Sequence, residues 1–232
     1  MSKRFKLILF IRFLGYFLFL LGVLSFIFVF GPLVQAETKY RWDRVWHVQR
    51  TVPQLIASNE AGDNGQGQQD GAATFGSVAA NEQAIIPDYT DFGIVIEKIN
   101  ANAKVVPNVD PGNEAEYSRA LAQGVAMAKG STLPGENGNL YLFSHSTDAP
   151  WNIVRFNAIF YLLRELEKGD RIVIFYQNKR YDYVVFDKAV TEPADVSYLL
   201  NRYDAPVLTL QTCDPPGTLL KRLIVRARLA GS

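Results

Sequence analysis

The hydrophobic pattern of the chain opens with one long uninterrupted run. Residues 13–34 carry no charged side chain, and roughly 20 consecutive apolar residues are enough for a helix to cross the hydrocarbon core of a bilayer. Basic residues without any acid precede this run, namely Lys3, Arg4, Lys6 and Arg12. Because such basic flanks stay on the cytoplasmic side, we predict a single-pass anchor in the cell membrane, with a cytoplasmic N-terminus and an extracytoplasmic remainder.

A cleaved signal peptide is the alternative for the same run. The tripeptide VQA at 34–36 offers small residues at a suitable place for cleavage. The apolar region of a signal peptide is usually only about 7–15 residues long, which is shorter than this run. We therefore interpret the run as a retained anchor.

Two segments of different composition follow the run. Residues 35–56 are basic and aromatic, as suits a membrane interface, although a helical stalk leaving the bilayer would look the same. Residues 57–84 are rich in Gly, Gln, Asn, Asp and Ala, with Phe75 as their single aromatic residue, so little apolar surface offsets the entropy of ordering them. We predict a flexible linker with a typical reach of about 30 Å. The predicted segments are a cytoplasmic N-terminus (1–12), the membrane anchor (13–34), a juxtamembrane segment (35–56), the linker (57–84) and one folded domain (85–232).

Within residues 85–232, short β-branched and aromatic runs alternate with turn signals. These runs are FGIVIEKI, AKVVPNV, NLYLFSH, DRIVIFYQ, RYDYVVFDKAV, VLTLQTC and RLIVRARL. Such a pattern is typical of a mainly β domain. The stretch IFYQNKRYDYVV also predicts a hairpin around Asn178 and Lys179.

Two stretches of this domain have helical spacing instead. The first places Tyr117, Leu121, Val125 and Ala128 on one helix face, and the second does so with Ile153, Phe156, Phe160 and Leu163 and ends at Gly169. Apolar residues spaced three to four apart favour an amphipathic helix, and a glycine often ends one. We expect two short helices packed on the sheet.

Composition and charge exclude several classes of function. The 232 residues are 48% hydrophobic, with 24 basic and 23 acidic side chains and a net charge of +1, so no global field attracts nucleic acid. One cysteine cannot form an internal disulfide. Together with two histidines, it cannot complete a four-ligand zinc site of the usual spacings. We expect neither a metal nor another cofactor.

The single cysteine, Cys213, and His145 each lie where a predicted strand meets a loop. By strand alternation Cys213 shares a face with Thr209 and Gln211. A free cysteine alone is usually a small buried hydrophobe, and a lone histidine among polar residues is usually structural. Nucleophilic catalysis by a thiol needs a histidine for proton transfer and a donor for the oxyanion, so the pair together favours a catalytic interpretation.

The last predicted strand adds a basic cluster. Lys221, Arg222, Arg226 and Arg228 lie in it, and alternation puts the three arginines on one face. Solvated charges on the outside of the sheet are the alternative interpretation. An arginine beside the thiol would instead supply a permanent positive charge.

At this point the chain resembles the sortases. TLQTC followed by KRLIVRARL is similar to their TLxTC signature and Arg-bearing last strand, and STLPGENGNLYLFSHS to the segment around their active histidine. FGIVIEKINANAKVVPNV and LEKGDRIVIFYQNKRYDYVV extend the resemblance over nearly all of residues 90–230. The order His, Cys, Arg is also that of sortases, whereas papain-like proteases have Cys first. One departure is Ser144, where the family usually has glycine.

The resemblance implies a closed, mostly antiparallel β-barrel of about eight strands with short helices. It also implies a cysteine transpeptidase that cleaves an LPxTG-like sorting signal. Cys213 would attack the Thr–Gly carbonyl, His145 would transfer protons, and Arg222 would stabilise the oxyanion, with Arg226 as the alternative on spacing. Its partners would be the membrane, exported proteins with C-terminal sorting signals, and an amine acceptor on a cell-wall precursor or a pilin-like protein.

Two other functions stay open from the residues. A catalytically silent barrel used for binding would keep the strands and leave Cys213 inert. An L,D-transpeptidase would also use cysteine and histidine, but the Ser-x-Gly-Cys-like context of that class is absent around Cys213.

Overall fold

The computed structural model describes residues 3–45, 51–52, 85–146 and 159–231. The predicted linker, 57–84, lies outside the described residues. The first described element is α1, Lys3–Val45, which contains the predicted anchor and continues past it.

Helix α1 has the length and composition of a membrane-spanning segment. Its stretch Lys6–Phe28 spans 23 residues with a mean hydropathy of 2.5, and none of it is buried against the protein. Apolar side chains left in water lose the stabilisation of about 25 cal/mol per Å² that burial gives. A bilayer would cover this surface, as a membrane anchor requires.

Eight strands form a closed barrel. In chain order they are β1 Phe92–Ile96, β2 Ala101–Val109, β3 Val125–Ala128, β4 Gly138–Phe143, β5 Arg171–Tyr176, β6 Lys179–Thr191, β7 Pro206–Asp214 and β8 Lys221–Leu229. Their order around the barrel is β1-β2-β3-β4-β7-β8-β6-β5. The pairs β2–β3 and β4–β7 are parallel, and the others are antiparallel. The predicted fold class, a mainly β closed barrel of eight strands, is confirmed.

Strand alternation divides β7 and β8 between the inside and the outside of the barrel. Leu208 and Leu210 of β7 and Val225 of β8 are fully buried in the core, and burying each such side chain contributes about 1.5–3 kcal/mol. Residues at the alternate positions of these strands, including Cys213 and Arg222, therefore project from the outer face. Because core residues occupy the inner face, the side chains available for catalysis lie on the outer face of these strands.

Helix α2, Glu114–Leu121, covers the outer face of the neighbouring strands β2, β3 and β4. The helix begins at Asn113, whose side chain accepts a hydrogen bond from the Glu116 N–H, a common N-cap arrangement. A second apolar cluster joins α2 to β2, β3 and β4; its buried members are Val109, Ala120, Leu121, Ala126, Ala128, Tyr141 and Phe143. The outer face of β4 is therefore packed rather than solvated.

The first predicted helix was too long, because its second half is strand β3. All four residues of β3 are buried, so the strand has no polar positions to show its alternation, and periodicity cannot distinguish it from a helix. Gly124 precedes it, and a Cβ there would lie 2.2 Å from the Lys104 carbonyl oxygen. Glycine is needed for the close approach of this segment to β2.

The second predicted helix is only partly within the described residues. Residues 152–158 lie outside them, and the described part contains turns and a 3₁₀ helix, Leu163–Glu165. Gly169 has a φ of 95°, but it precedes β5 rather than ending an α-helix. The predicted α-helix is wrong for residues 159–170.

The predicted β5–β6 hairpin is confirmed, with its turn one residue earlier. Tyr176 pairs with Lys179, so Gln177 and Asn178 form the turn, with φ of 49° and 61°. Two positive φ values are typical of a type I′ turn, whose twist matches that of the flanking strands.

A short segment before the predicted linker also packs on the barrel. Val52 is 3% exposed and joins a cluster with Val95 and Phe175. Its N–H donates to Glu97 Oε1 (2.8 Å), and its carbonyl accepts from Arg180 Nη1 (2.9 Å).

The residue that follows the predicted linker lies beside this segment. The Ile85 N–H donates to the Thr51 carbonyl over 3.1 Å, and Ile85 belongs to the same apolar cluster as Val52. The chain before and after residues 53–84 is thus held at one place on the barrel.

Candidate active site

Cys213 and Arg222 are direct neighbours on adjacent strands. They are paired in the antiparallel ladder of β7 and β8, so their side chains project from the same outer face. Arg222 Nη1 lies 3.6 Å from Cys213 Sγ. The same nitrogen contacts the carbonyls of Lys221 (3.1 Å) and Leu219 (3.4 Å), which hold the guanidinium beside the thiol.

The loop between β7 and β8 keeps this pair close. It folds back within a few residues, and Thr218 closes the turn by donating to the Pro215 carbonyl from its N–H (3.0 Å) and its hydroxyl (2.8 Å). A flanking ion pair joins Lys221 to Glu192. The thiol therefore sits at a strand end beside a short loop, as the sequence predicted.

His145 follows the end of β4, the other neighbour of β7. The parallel register pairs Phe143 with Gln211, and the contacts continue past it. The Ser144 N–H donates to the Gln211 carbonyl (3.2 Å), and Thr212 Oγ1 donates to the Ser144 carbonyl (2.9 Å). These two bonds place Ser144 beside Gln211 and Thr212, so His145, the next residue, follows on the side of β7 that leads to Cys213.

His145, Cys213 and Arg222 therefore belong to three adjacent segments of the barrel, namely the end of β4, β7 and β8. His145 and Cys213 are both half-buried. Partial exposure of both residues means that neither is sealed in the core. A thiol, an imidazole and a fixed cation in this order are the groups that acyl transfer through a thioester uses.

Ser144 fits the backbone at the position before the histidine. Among the described residues, the non-glycine residues with positive φ are Asn100, Asn108, Gln177 and Asn178. Ser144 therefore has a conformation open to any L-residue, and glycine is not required there. Its hydroxyl is buried without a hydrogen-bond partner in the described part of the chain.

Arg226 is engaged away from the thiol. Its register partner on β7 is Thr209, and Asp187 accepts from its Nε (3.0 Å) and its Nη2 (2.7 Å). Tyr203 accepts a further bond from Nη1 (3.1 Å), and the ring of Phe186 lies 5.2 Å from the guanidinium carbon. Of the two arginines considered from the sequence, the structure brings Arg222 to Cys213 and pairs Arg226 with an acid.

Two further residues lie beside the site without a role assigned from the sequence. Tyr141 of β4 donates from its hydroxyl to Gln211 Oε1. Burial raises the pKa of Tyr141, against the opposing effect of the Arg222 charge. Alternation places Gln211 on the face of Cys213, but only the pairing of β4 with β7 reveals its tyrosine partner.

Within residues 3–45, 51–52, 85–146 and 159–231, no group of three or more His, Cys, Asp or Glu side chains is arranged to hold a metal ion.

Known proteins share this fold and sequence pattern. Residues 94–230 match the family model of the sortase domain. Sortase D of Bacillus subtilis (strain 168) is 26% identical over 152 residues, which cover 63% of this chain and 68% of that protein. A Clostridium perfringens sortase D5 transpeptidase is 26% identical with a TM-score of 0.50, covering 63% of this chain and 82% of that one. Sortase C-1 from Actinomyces oris is 26% identical with a TM-score of 0.52, covering 61% and 73%.

Proposed function

This chain belongs to the sortase family of cysteine transpeptidases, and we propose that Cys213 is its nucleophile, His145 its general acid and base, and Arg222 its oxyanion donor. The observation that supports this proposal most directly is the 3.6 Å contact between Arg222 Nη1 and Cys213 Sγ. A donor at that distance from the nucleophile is also close to the carbonyl that the nucleophile attacks. The family acts on sorting signals, and the proposed substrate here is an LPxTG-like signal.

The first half-reaction forms a thioester. Cys213 Sγ attacks the Thr–Gly carbonyl carbon with its thiol proton passing to His145, and the carbonyl oxygen becomes an oxyanion that accepts hydrogen bonds from Arg222. As the C–N bond breaks, His145 delivers a proton to the leaving amine. The thioacyl-enzyme keeps the acyl portion of the signal on Sγ, and the glycine portion departs as a free amine.

The second half-reaction reverses these roles with a new amine. The incoming amine attacks the thioester carbon while His145 accepts its proton, and the oxyanion again faces Arg222. Collapse of this intermediate releases Sγ and leaves an amide bond. One histidine serves both proton transfers, since an acid in the first step is the base in the second.

Arg222 suits the oxyanion role because its charge is permanent and its position is constrained. A guanidinium stays protonated at any physiological pH, and the contacts of Nη1 with the backbone carbonyls of Leu219 and Lys221 limit its movement. A donor that is already in place needs no reorganisation when the oxyanion forms.

We further propose that α1 anchors the enzyme with its N-terminus in the cytoplasm and the domain from residue 85 onwards outside. The exposed apolar stretch Lys6–Phe28 supports the anchor, and the basic residues before it support the orientation. Substrates are then exported proteins with C-terminal sorting signals. The acceptor is an amine on a cell-wall precursor or a pilin-like protein.

The test is to trap the thioester on Cys213. Full-length protein in detergent is incubated with an LPxTG-type peptide, and the adduct is measured by mass spectrometry with and without an added amine. We expect an acyl adduct on wild type that the amine consumes, and none on Cys213→Ala. Turnover by Cys213→Ala at the wild-type rate would contradict the proposal, and an unreactive wild-type thiol would favour the silent binding barrel.

A further inference from the structure

Two pairs of polar side chains lie on the outer face of the β4–β7 ladder. They differ in how many of their hydrogen-bonding groups have a partner within the protein. In the pair farther from the thiol, both groups of the amide are hydrogen-bonded: Thr209 Oγ1 donates to Asn139 Oδ1 (2.8 Å), and Asn139 Nδ2 donates to the Tyr198 carbonyl (2.9 Å). Thr209 and Asn139 are both buried. This pair has the features of a structural contact.

In the pair nearer to the thiol, one side-chain donor is left without an acceptor among the described residues. Tyr141, 4% exposed, donates to Gln211 Oε1, but no acceptor for Gln211 Nε2 is found in the described part of the chain. Gln211 is half-buried, so part of the residue is exposed. It precedes Cys213 by two residues on the same strand face, a separation of about 7 Å.

Tyr141 is a dependable donor for this amide. Burial among the residues of the α2 cluster raises the pKa of its hydroxyl, so the hydroxyl stays protonated at physiological pH. Because the hydroxyl donates to Oε1, the Nε2 group of Gln211 is directed away from Tyr141. The packed tyrosine thus selects one of the two orientations that an amide side chain can adopt.

We propose that Gln211 Nε2 donates a hydrogen bond to a backbone carbonyl of the acyl portion of the sorting signal, and that Tyr141 positions this donor. This inference rests on the proposed function, in which that acyl portion is bound to Cys213. A peptide lying extended along β7 advances about 3.3 Å per residue. A donor about 7 Å from the thiol therefore falls near a carbonyl two residues before the scissile bond.

The acyl portion is the part that such a donor can hold throughout the reaction. It remains attached to Sγ through both half-reactions, whereas the glycine portion departs after the first. A contact to a backbone carbonyl fixes the register of the peptide at the thiol without recognising any of the peptide's side chains. Gln211 is therefore a binding residue, and Tyr141 is a positioning residue that acts through it.

The experiment uses a reagent that carries only the acyl side. Full-length protein in detergent is treated with a Leu-Pro-Ala-Thr chloromethyl ketone, whose carbon forms a thioether with Cys213 Sγ as chloride leaves. Mass spectrometry gives the half-saturation concentration KI and the limiting rate kinact. Iodoacetamide, which also forms a thioether but carries no peptide, reports the intrinsic reactivity of the same thiol.

Four variants separate binding from structure. Gln211→Met preserves the approximate volume but removes the donor, and Tyr141→Phe keeps the ring and removes the hydroxyl. The double variant tests their coupling. Thr209→Val removes the hydrogen bond from Thr209 to Asn139 and is the matched control. Circular dichroism checks that each variant is folded.

We expect Gln211→Met to raise KI about three- to tenfold, the effect of one neutral hydrogen bond, with kinact and the iodoacetamide rate unchanged. Tyr141→Phe should raise KI less. The double variant should match Gln211→Met alone, because a positioning residue has no effect once its target is gone. Thr209→Val should leave KI at the wild-type value.

The opposing outcomes are distinct. Saturable wild-type labelling with an unchanged KI in Gln211→Met overturns this inference and leaves the proposed function intact. Fully additive effects of the two substitutions overturn the positioning role of Tyr141. Wild-type labelling that shows no saturation by the peptide reagent overturns both this inference and the proposed function.

Discussion

Replacing each of two arginines on one strand face distinguishes an oxyanion donor from a surface charge. Arg222 and Arg226 both project outward from β8, and they are four residues or about 13 Å apart. Arg222 contacts Cys213 Sγ, whereas Arg226 pairs with Asp187. Arg222→Ala and Arg226→Ala therefore remove the same side chain from the same strand in different surroundings.

The expected magnitudes follow from those surroundings. Loss of one oxyanion donor lowers the rate by about 10²–10³, or about 2.7–4 kcal/mol of transition-state stabilisation. Loss of the Arg226–Asp187 pair should change mainly folding stability. The pair is partly exposed, at 22% and 31%, and such pairs contribute only about 0–1 kcal/mol. Arg222→Lys keeps a charge but lacks the planar fork of donors, so we expect only slight recovery of the rate.

The assay is single-turnover acylation of Cys213 by an LPxTG-type peptide, followed by mass spectrometry, with melting temperatures measured in parallel. We expect slow acylation for Arg222→Ala and Arg222→Lys, and nearly wild-type acylation for Arg226→Ala. A large loss in Arg226→Ala with little change in Arg222→Ala would refute the assignment. It would transfer the oxyanion role to Arg226 despite its contact with Asp187.

Three more predictions concern other parts of the molecule. His145→Ala should lower turnover by several orders of magnitude, since each proton transfer contributes about 10²–10⁴; a near-wild-type kcat would remove His145 from the mechanism. Val52→Asp should lower the melting temperature by about 3–12 °C, because the buried valine contributes about 1.5–3 kcal/mol and each kcal/mol corresponds to about 2–4 °C. The same change at Val196, 53% exposed, should have little effect, and equal melting temperatures of the two variants would contradict the docking of Val52. Protease added to intact spheroplasts should digest the barrel, and full protection behind a sealed membrane would argue against the proposed orientation.

Alternation along single strands predicts which residues share a face. The shared face of Thr209, Gln211 and Cys213 follows from their spacing alone, because β7 is regular and its intervening residues fill the core. The same holds for Arg222 and Arg226 on β8. Such predictions succeed where a strand has one buried and one partly polar face.

Predictions from local pattern fail where both faces of a strand are buried. Strand β3 has four buried residues, so its sequence carries no alternation, and it follows a true helix closely enough to extend the helical spacing. What defines it is the parallel pairing with β2, which brings Val125 beside Val105. That pairing is a property of the whole fold rather than of the segment.

The same limit applies to contacts across strands that are distant in sequence. Tyr141 and Gln211 are 70 residues apart, and their hydrogen bond depends on the register of β4 against β7. The sequence identifies both residue types but not their proximity. The proximity of the thiol and Arg222 is easier to predict from the sequence, since a short loop joins their strands and leaves one antiparallel pairing between them.

The reach of the barrel from helix α1 depends on such a distant contact. The composition of residues 57–84 predicts a linker with a typical span of about 30 Å, but composition does not say where the ends of a linker lie. The hydrogen bond from Ile85 to Thr51 holds those ends together on the barrel. Only the stretch from Val45 to Thr51 then separates α1 from the barrel, and six residue steps extend at most about 20 Å. The distance between helix and barrel is therefore limited by this short stretch, and the length of residues 53–84 adds nothing to it while Thr51 and Val52 stay docked.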